Sequence, residues 1–336
     1  MTLKNILQIG LLSALVVSCA SDPLHVKIDN ITIKTKFINL DSAIVKSAPT
    51  ELITNHHLFQ KTIKDIYSYQ LGYCLQIGEI SDTALTRSIY LFTHDNGIIR
   101  LENRIQEKFK NLDPKKKAII DGLKHLKYHF PSGKIPENIV FMNSLFQSNA
   151  FCTETEIGIG LERYLGKEND IVKELPAEPF YDWIKDGMED QYLERDAICA
   201  WIMTHYIPET DGTLAENIIK WGKIIYLTEA AFPSFDKNII IRYTKEDYDW
   251  AVENEISFWK YLVNEKMLFK NNDLDKANLL KEAPFTIGLP EKSPDRFGQF
   301  LGWQMVRHYM KKTKIPLEEL IKIPYNNILQ EYEIEE

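Results

Sequence analysis

The chain has 336 residues, 44% of them hydrophobic and 11% aromatic, with a formal net charge of −8 and a pI of about 5.6. That apolar and aromatic content excludes a disordered chain and suits one large or two small globular domains. The acidic balance excludes a broad nucleic-acid surface, so no nucleic-acid partner is expected.

The first residues read MTLKNILQIGLLSALVVSC. Lys4 gives a positive n-region, and Ile6 to Val17 form a short apolar run. A spanning helix needs about 20 apolar residues, so this run fits an export signal instead. It ends at Val17-Ser18-Cys19, where a small residue directly precedes cysteine, as in a bacterial lipoprotein signal. The expectation is a lipoprotein signal peptide over residues 1–18, with lipid attachment (palmitate among the chains) at Cys19. Several acyl chains on one residue anchor stably, since each buried methylene contributes about 0.8 kcal/mol.

Residues 19–47 read as an anchor tether and extended arm. The tether carries one acid, Asp22, and lacks an acidic run, which points to an anchor facing the periplasm. Val26 to Leu40 alternates polar and apolar residues, including Ile31 and Ile33, and reads as a strand or extended arm. Residues 48–336 are expected to form a single, mainly helical globular body. Its first helical part spans 48–133. Leu52, Leu58, Ile63, Ile66, Tyr67 and Leu71 recur at helical spacing, the pattern breaks near Asn96-Gly97, and Asp113-Pro114 opens a helix that stops at Pro131. A small sheet is expected over 134–166, from the β-rich run Asn138 to Asn143 and a second at Ile157 to Ile159, read as a hairpin.

The third part, 175–336, is helical again. One helix is predicted from Met188 to Tyr206. A capping box at Thr213-Leu-Ala-Glu216 opens another, running to Ala231, and Thr244 opens a third, running to about Phe269. Asn271 to Asp275 reads as a polar break. Ser293 to Lys312 then forms the predicted central helix, capped by Ser293 with Pro294 in its first turn. Gly298 and Gly302 sit one turn apart on it, and each mid-helix glycine costs about 1 kcal/mol against alanine. Close approach of another helix is the expected gain, so Gly298, Gly302, Trp303 and Arg307 form a candidate packing or interaction motif. The fold class predicted is α+β, predominantly α-helical, with a small antiparallel sheet. Cys74, Cys152 and Cys199 are widely spaced and read as buried thiols.

Six motifs follow in order: Ile159 to Gly166 (IGLERYLG), Gly222 to Tyr226 (GKIIY), Trp250 to Trp259 (WAVENEISFW), Ala283 to Thr286 (APFT), Ser293 to Gly298 (SPDRFG) and Gly302 to Arg307 (GWQMVR). With the lipoprotein signal, this series resembles the gliding-motility lipoprotein family of the GldB type, over most of the chain beyond the signal. Glu162 stands where that family's first motif usually has aspartate, and the tail QEYEIEE is more acidic than the pattern. The resemblance implies a role in gliding over surfaces, with the gliding and secretion machinery of the envelope as partners. A more distant similarity, to a gluzincin-type zinc peptidase domain, implies a degenerate zincin-like C-terminal part.

That chemistry needs His-Glu-x-x-His on one helix. The Met188–Tyr206 segment offers only His205, with Glu194 and Asp196 as acids, and Lys220-Trp221-Gly222-Lys223 stands where a glutamate ligand would be sought. His125 and His129 share a helix face but lack a third ligand. No nucleophile elbow, P-loop or dinucleotide fingerprint occurs. The expectation is therefore no catalytic residue, no metal and no cofactor: a non-catalytic, lipid-anchored envelope component needed for gliding. Two alternatives are a periplasmic zinc hydrolase using Glu194 and His205, and a periplasmic ligand-binding module with its pocket beside Gly298 and Gly302.

Overall fold

The computed structural model describes residues 23–45, 47–82 and 84–332. The signal peptide and Cys19 lie outside the described residues. The fold is α+β and predominantly helical, around one four-stranded sheet. Its strands are β1 (Lys36–Asn39), β2 (Asn138–Met142), β3 (Ala150–Cys152) and β4 (Glu156–Gly160), in spatial order β1-β2-β4-β3.

The sheet corrects the expected antiparallel arrangement. β1 pairs parallel with β2 and β2 parallel with β4; only the edge strand β3 runs antiparallel to β4. Two features of the chain produce this. The arm supplies β1, and the chain returns to β2 only after a helical crossover, the connection that parallel strands require. β3, hidden in the polar stretch before Glu156, takes up the return direction, so β2 and β4 run the same way. The sheet is covered on both faces, which is why β2 is an unbroken apolar run rather than an alternating one. Ile139 and Phe141 point into one core, Val140 and Met142 into the other.

The smaller core is built by the N-terminal helices α1 (Leu40–Val45), α2 (Pro49–Thr62), α3 (Lys64–Ser68, continued by a π-helical turn to Cys74) and α4 (Leu85–Thr93). Helix α5 (Asn96–Lys108) follows, its first turn capped by the Asp95 side chain, which accepts from the Gly97 and Ile98 amides. Helix α6 (Asp113–His129) buries Ile119, Leu123 and Leu126 against the larger core.

That larger core holds the C-terminal helices. After the short α7 (Asp170–Glu174) and α8 (Asp182–Asp186) come α9 (Leu193–His205), α10 (Leu214–Ala231), α11 (Lys237–Ile241), α12 (Lys245–Asn264), α13 (Asp273–Leu280), α14 (Phe297–Thr313), α15 (Leu317–Leu320) and α16 (Tyr325–Gln330). Thr213 and Thr244 cap α10 and α12, each accepting from the amide three residues on. The expected polar break at Asn271 is instead the start of a helix. Asn272 caps α13, accepting from the Leu274 and Asp275 amides.

Helices α10 and α14 cross at the centre, and glycines set how closely. A Cβ on Gly302 would lie 2.0 Å from the Ile218 carbonyl oxygen, and one on Gly222 would lie 2.1 Å from the Gly302 carbonyl oxygen. Gly298 meets α13 instead, where a Cβ would come within 2.9 Å of the Leu279 oxygen. Helix α14 begins four residues later than the sequence suggests. Ser293 is not its cap. Thr286 from the APFT motif does that work across a loop: its hydroxyl donates to the Pro294 carbonyl at 2.7 Å and accepts from the Phe297 amide at 3.1 Å.

Candidate functional site: an arginine-lined cleft

A cavity of about 530 Å3 opens between α8, α9, α10 and the loops that follow α11 and α13. Four cationic side chains line it, Arg195, Arg242, Lys281 and Arg296, against two carboxylates, Asp196 and Glu282. Trp183, Trp221, Met203 and Leu280 supply apolar wall, and Asn149 stands at the entrance to edge strand β3.

Each arginine is held by its backbone position. Arg195 and Asp196 project from the first turn of α9, where both are buried. Arg242 ends α11 at φ 63°, and Arg296 precedes α14 at φ 51°. Left-handed backbone costs a non-glycine residue roughly 1–2 kcal/mol. Two arginines held that way at one cleft are the kind of local strain that accompanies functional sites.

Asp196 is the hub. It accepts from Arg195 Nη1 at 3.1 Å, from Arg242 Nε at 3.2 Å and from the buried Tyr164 hydroxyl at 3.0 Å. Arg242 also donates to the Gly187 carbonyl at 2.7 Å and lies over the Tyr192 ring at 5.0 Å. Arg296 donates to Asp295 at 2.9 Å and to the Arg242 carbonyl at 3.2 Å, over the ring of Tyr243. Glu282 sits half exposed at the mouth, 3.4 Å from Arg242 Nη1. Partial burial would raise its pKa, but the Arg296 and Arg242 guanidiniums outweigh that and hold it below the ordinary value.

Arg163 stands behind Asn149. Its Nε donates to Asn149 Oδ1 at 2.5 Å, and it makes no ion pair among the described residues. Burial, then the nearby Arg242 charge, lowers its pKa. The motif residues noted in the sequence therefore converge here: Arg163 and Tyr164 from the first motif, Asp295 and Arg296 from SPDRFG. Arg195 and Arg242 escaped notice. Their signal was a charged triplet inside the apolar α9 and a lone arginine closing Ile239-Ile240-Ile241.

The candidate packing motif lies elsewhere. Gly298 and Gly302 face α13 and α10, and Trp303 is fully buried. Its indole donates to Glu229 at 2.7 Å, a carboxylate that also pairs with Lys237 at 2.6 Å. Arg307 stacks on Trp303 at 5.2 Å. The cleft lies beside Gly298, reached by its neighbour Gln299 and by Leu280, whose side chain a Cβ on Gly298 would meet, while Gly302 faces α10.

The Glu194–His205 zinc pair is also corrected. The two residues lie at opposite ends of α9, about 16 Å apart at 1.5 Å per residue. Glu194 pairs with Lys115 at 3.1 Å, while His205 stacks on Trp201 and bonds the Thr153 carbonyl at 3.0 Å. Lys220 pairs with Glu209, and Lys223 donates to the Ile321 and Ile323 carbonyls, its pKa drawn down to about 8 by burial. Among the described residues no group of three or more His, Cys, Asp or Glu side chains is placed to hold a metal ion.

A second polar cluster lies across the sheet. Asp41, Glu102 and Glu162 are all buried. One Glu162 oxygen accepts from the Ser144 and Phe146 amides, each at 2.9 Å, and pins the left-handed turn at Leu145 and Phe146. Asp41 Oδ2, Gln70 Oε1 and Glu162 Oε2 are buried without partners. All three are acceptors. Burial first, then mutual repulsion, raises the pKa of Asp41 and pushes that of Glu102 up to about 7; burial raises that of Glu162.

A family model described as gliding motility protein GldB matches residues 21–334. No curated protein and no solved structure matches the chain.

Proposed function

The chain belongs to the gliding motility protein GldB family, and from that premise we propose that it is a non-catalytic, lipid-anchored component of the cell envelope that docks with the gliding and secretion machinery. Family membership carries this reading, since it covers nearly the whole chain. The run Val17-Ser18-Cys19 supports the anchor, with Cys19 as the attachment residue and the body facing the periplasm. Among the described residues no helix is long and apolar enough to cross a membrane, so within them attachment depends on something other than a spanning helix.

Docking is supported by an unpartnered stripe on α12. Val252, Ile256 and Val263 are 48%, 42% and 45% exposed, and their spacing puts them on one face of that helix. An adjoining face buries Ala251, Phe258 and Leu262 in the larger core. The non-catalytic part of the reading is supported by the cleft. Three of its six charged lining residues are arginines, each paired with a carboxylate, and among the described residues no lining nucleophile has a hydrogen-bonded base.

A gliding bacterium with its own copy deleted provides the test. The full chain restores spreading of the colony; Cys19→Ala does not, although it accumulates to the same level. Restored spreading by unanchored protein would end the anchored reading.

A further inference from the structure

The cleft has more positive charge than its own carboxylates neutralise. Its lining places Arg195, Arg242, Lys281 and Arg296 against Asp196 and Glu282 alone. The residues just behind do not change the balance, since Arg163 adds a cation and Asp295 an anion. The excess falls on Lys281 at the exposed rim and on the half-buried Arg163. Arg195 and Arg296 are 6% and 8% exposed, and Arg163 carries no ion pair among the described residues. Arg195 and Arg296 already pair with Asp196 and Asp295, so an entering anion gains chiefly from the two cations that lack a carboxylate partner among the described residues.

The donors are also of the right kind. Nη2 of Arg195 and Nη2 of Arg163 make no hydrogen bond among the described residues. A guanidinium offers two parallel N–H groups, a match for the two oxygens of a carboxylate. Asp196 fixes Arg195 and Arg242 in advance, so little side-chain entropy remains to be lost on binding. The remaining wall is apolar and aromatic, from Trp183, Trp221, Met203 and Leu280. A bare inorganic ion would leave most of that wall wet. At about 530 Å3 the cavity falls within the size range of small-molecule sites.

We propose that this cleft is a binding site for an organic carboxylate, with its acid group on the arginines and an apolar or aromatic body against Trp183 and Trp221. The proposal is independent of the anchoring and docking reading above. The carboxylate enters ionised and is held by charge-assisted hydrogen bonds. No bond is made or broken, and the protein returns unchanged when the ligand leaves.

Calorimetric titration of the full chain in detergent tests this, with a panel running from benzoate to the peptide acid acetyl-Ala-Leu-Phe, the same peptide as its C-terminal amide, and inorganic phosphate. Saturable binding is expected for at least one acid, at least tenfold tighter than the amide and than phosphate. Arg163→Gln weakens it about tenfold. Lys281→Gln, an exposed rim substitution that leaves the unliganded melting temperature in place, weakens it about threefold. The proposal is overturned if no acid in the panel binds to the folded protein at millimolar concentration. It is equally overturned if the amide or phosphate binds as well as the acid, or if Lys281→Gln and Arg163→Gln both fold and bind as the wild type does.

Discussion

At the scale of single residues, the buried carboxyls behind β2 make the sharpest claim on stability. Glu102 is 3% exposed and keeps one hydrogen bond, from Asn143 Nδ2 at 2.9 Å. Its pKa is raised from 4.5 to about 7, so the protonated carboxyl is the favoured folded form at mildly acid pH. The stability this contributes is complete below the ordinary value and is lost as pH rises through about 7. Glu102→Gln keeps an oxygen for Asn143 and removes the titration. Between pH 5 and pH 8, urea unfolding should show the wild type losing on the order of 2–3 kcal/mol more than the variant. Parallel curves would mean that Glu102 stays in one charge state throughout. None of this was legible in sequence. Asp41, Glu102 and Glu162 are far apart along the chain, and only the packing of α1 and α5 against the turn after β2 gathers them. Glu162 did stand out as a departure from the family pattern, and it proves to be fully buried.

At the scale of elements, the crossing of α10 and α14 rests on glycine at both helices. Gly302→Ala would place a methyl group 2.0 Å from a backbone oxygen of Ile218, which cannot turn away as a side chain would. The helices must separate, and the expected destabilisation is about 3 kcal/mol. Gly72→Ala is the internal control. Its nearest neighbour would be the Glu79 carboxylate at 3.6 Å, an ordinary contact, so stability should change by less than about 1 kcal/mol. Equal unfolding midpoints for the two variants would contradict the close-crossing account. The exposed face of α12 gives the opposite pattern. Ile256 is 42% exposed, so Ile256→Glu should shift stability by under about 0.5 kcal/mol, yet it should reduce colony spreading. Unchanged spreading would remove α12 from the docking surface.

Periodicity found the elements that are long and amphipathic. It placed α6, α10 and α12 and the strands β2 and β4. It failed where signals are short or lie outside the element. β3 has three residues, Ala150 to Cys152, inside a polar stretch, and without it the direction of β4 was misread. The four residues of α13's first turn, Asn-Asp-Leu-Asp, look like a loop, although Asn272 before two acids is also a good helix start. The start of α14 was misplaced because its cap, Thr286, comes from a loop eleven residues upstream.

At the scale of the whole molecule, two helical layers bury a small, mostly parallel sheet, and the charge that matters is local. A chain of net charge −8 folds an arginine cluster into one cleft. Net charge said nothing about that cleft, because Arg195, Arg242 and Arg296 are far apart along the chain and meet only through α9, α11 and the loop before α14. Family membership came from ordered motifs, and the structure explains why two of them hold together: IGLERYLG and SPDRFG both feed the cleft. The envelope address depends on residues before position 23, outside the described structure, and the direct test belongs there. Membranes from cells making the full chain should be separated from soluble protein, and the N-terminal peptide of the mature chain identified by mass spectrometry. The account predicts an acylated peptide beginning at Cys19 in the membrane fraction, with Cys19→Ala found in the soluble fraction. An unmodified Cys19 in membrane-bound protein, or Cys19→Ala still sedimenting with membranes, would contradict it.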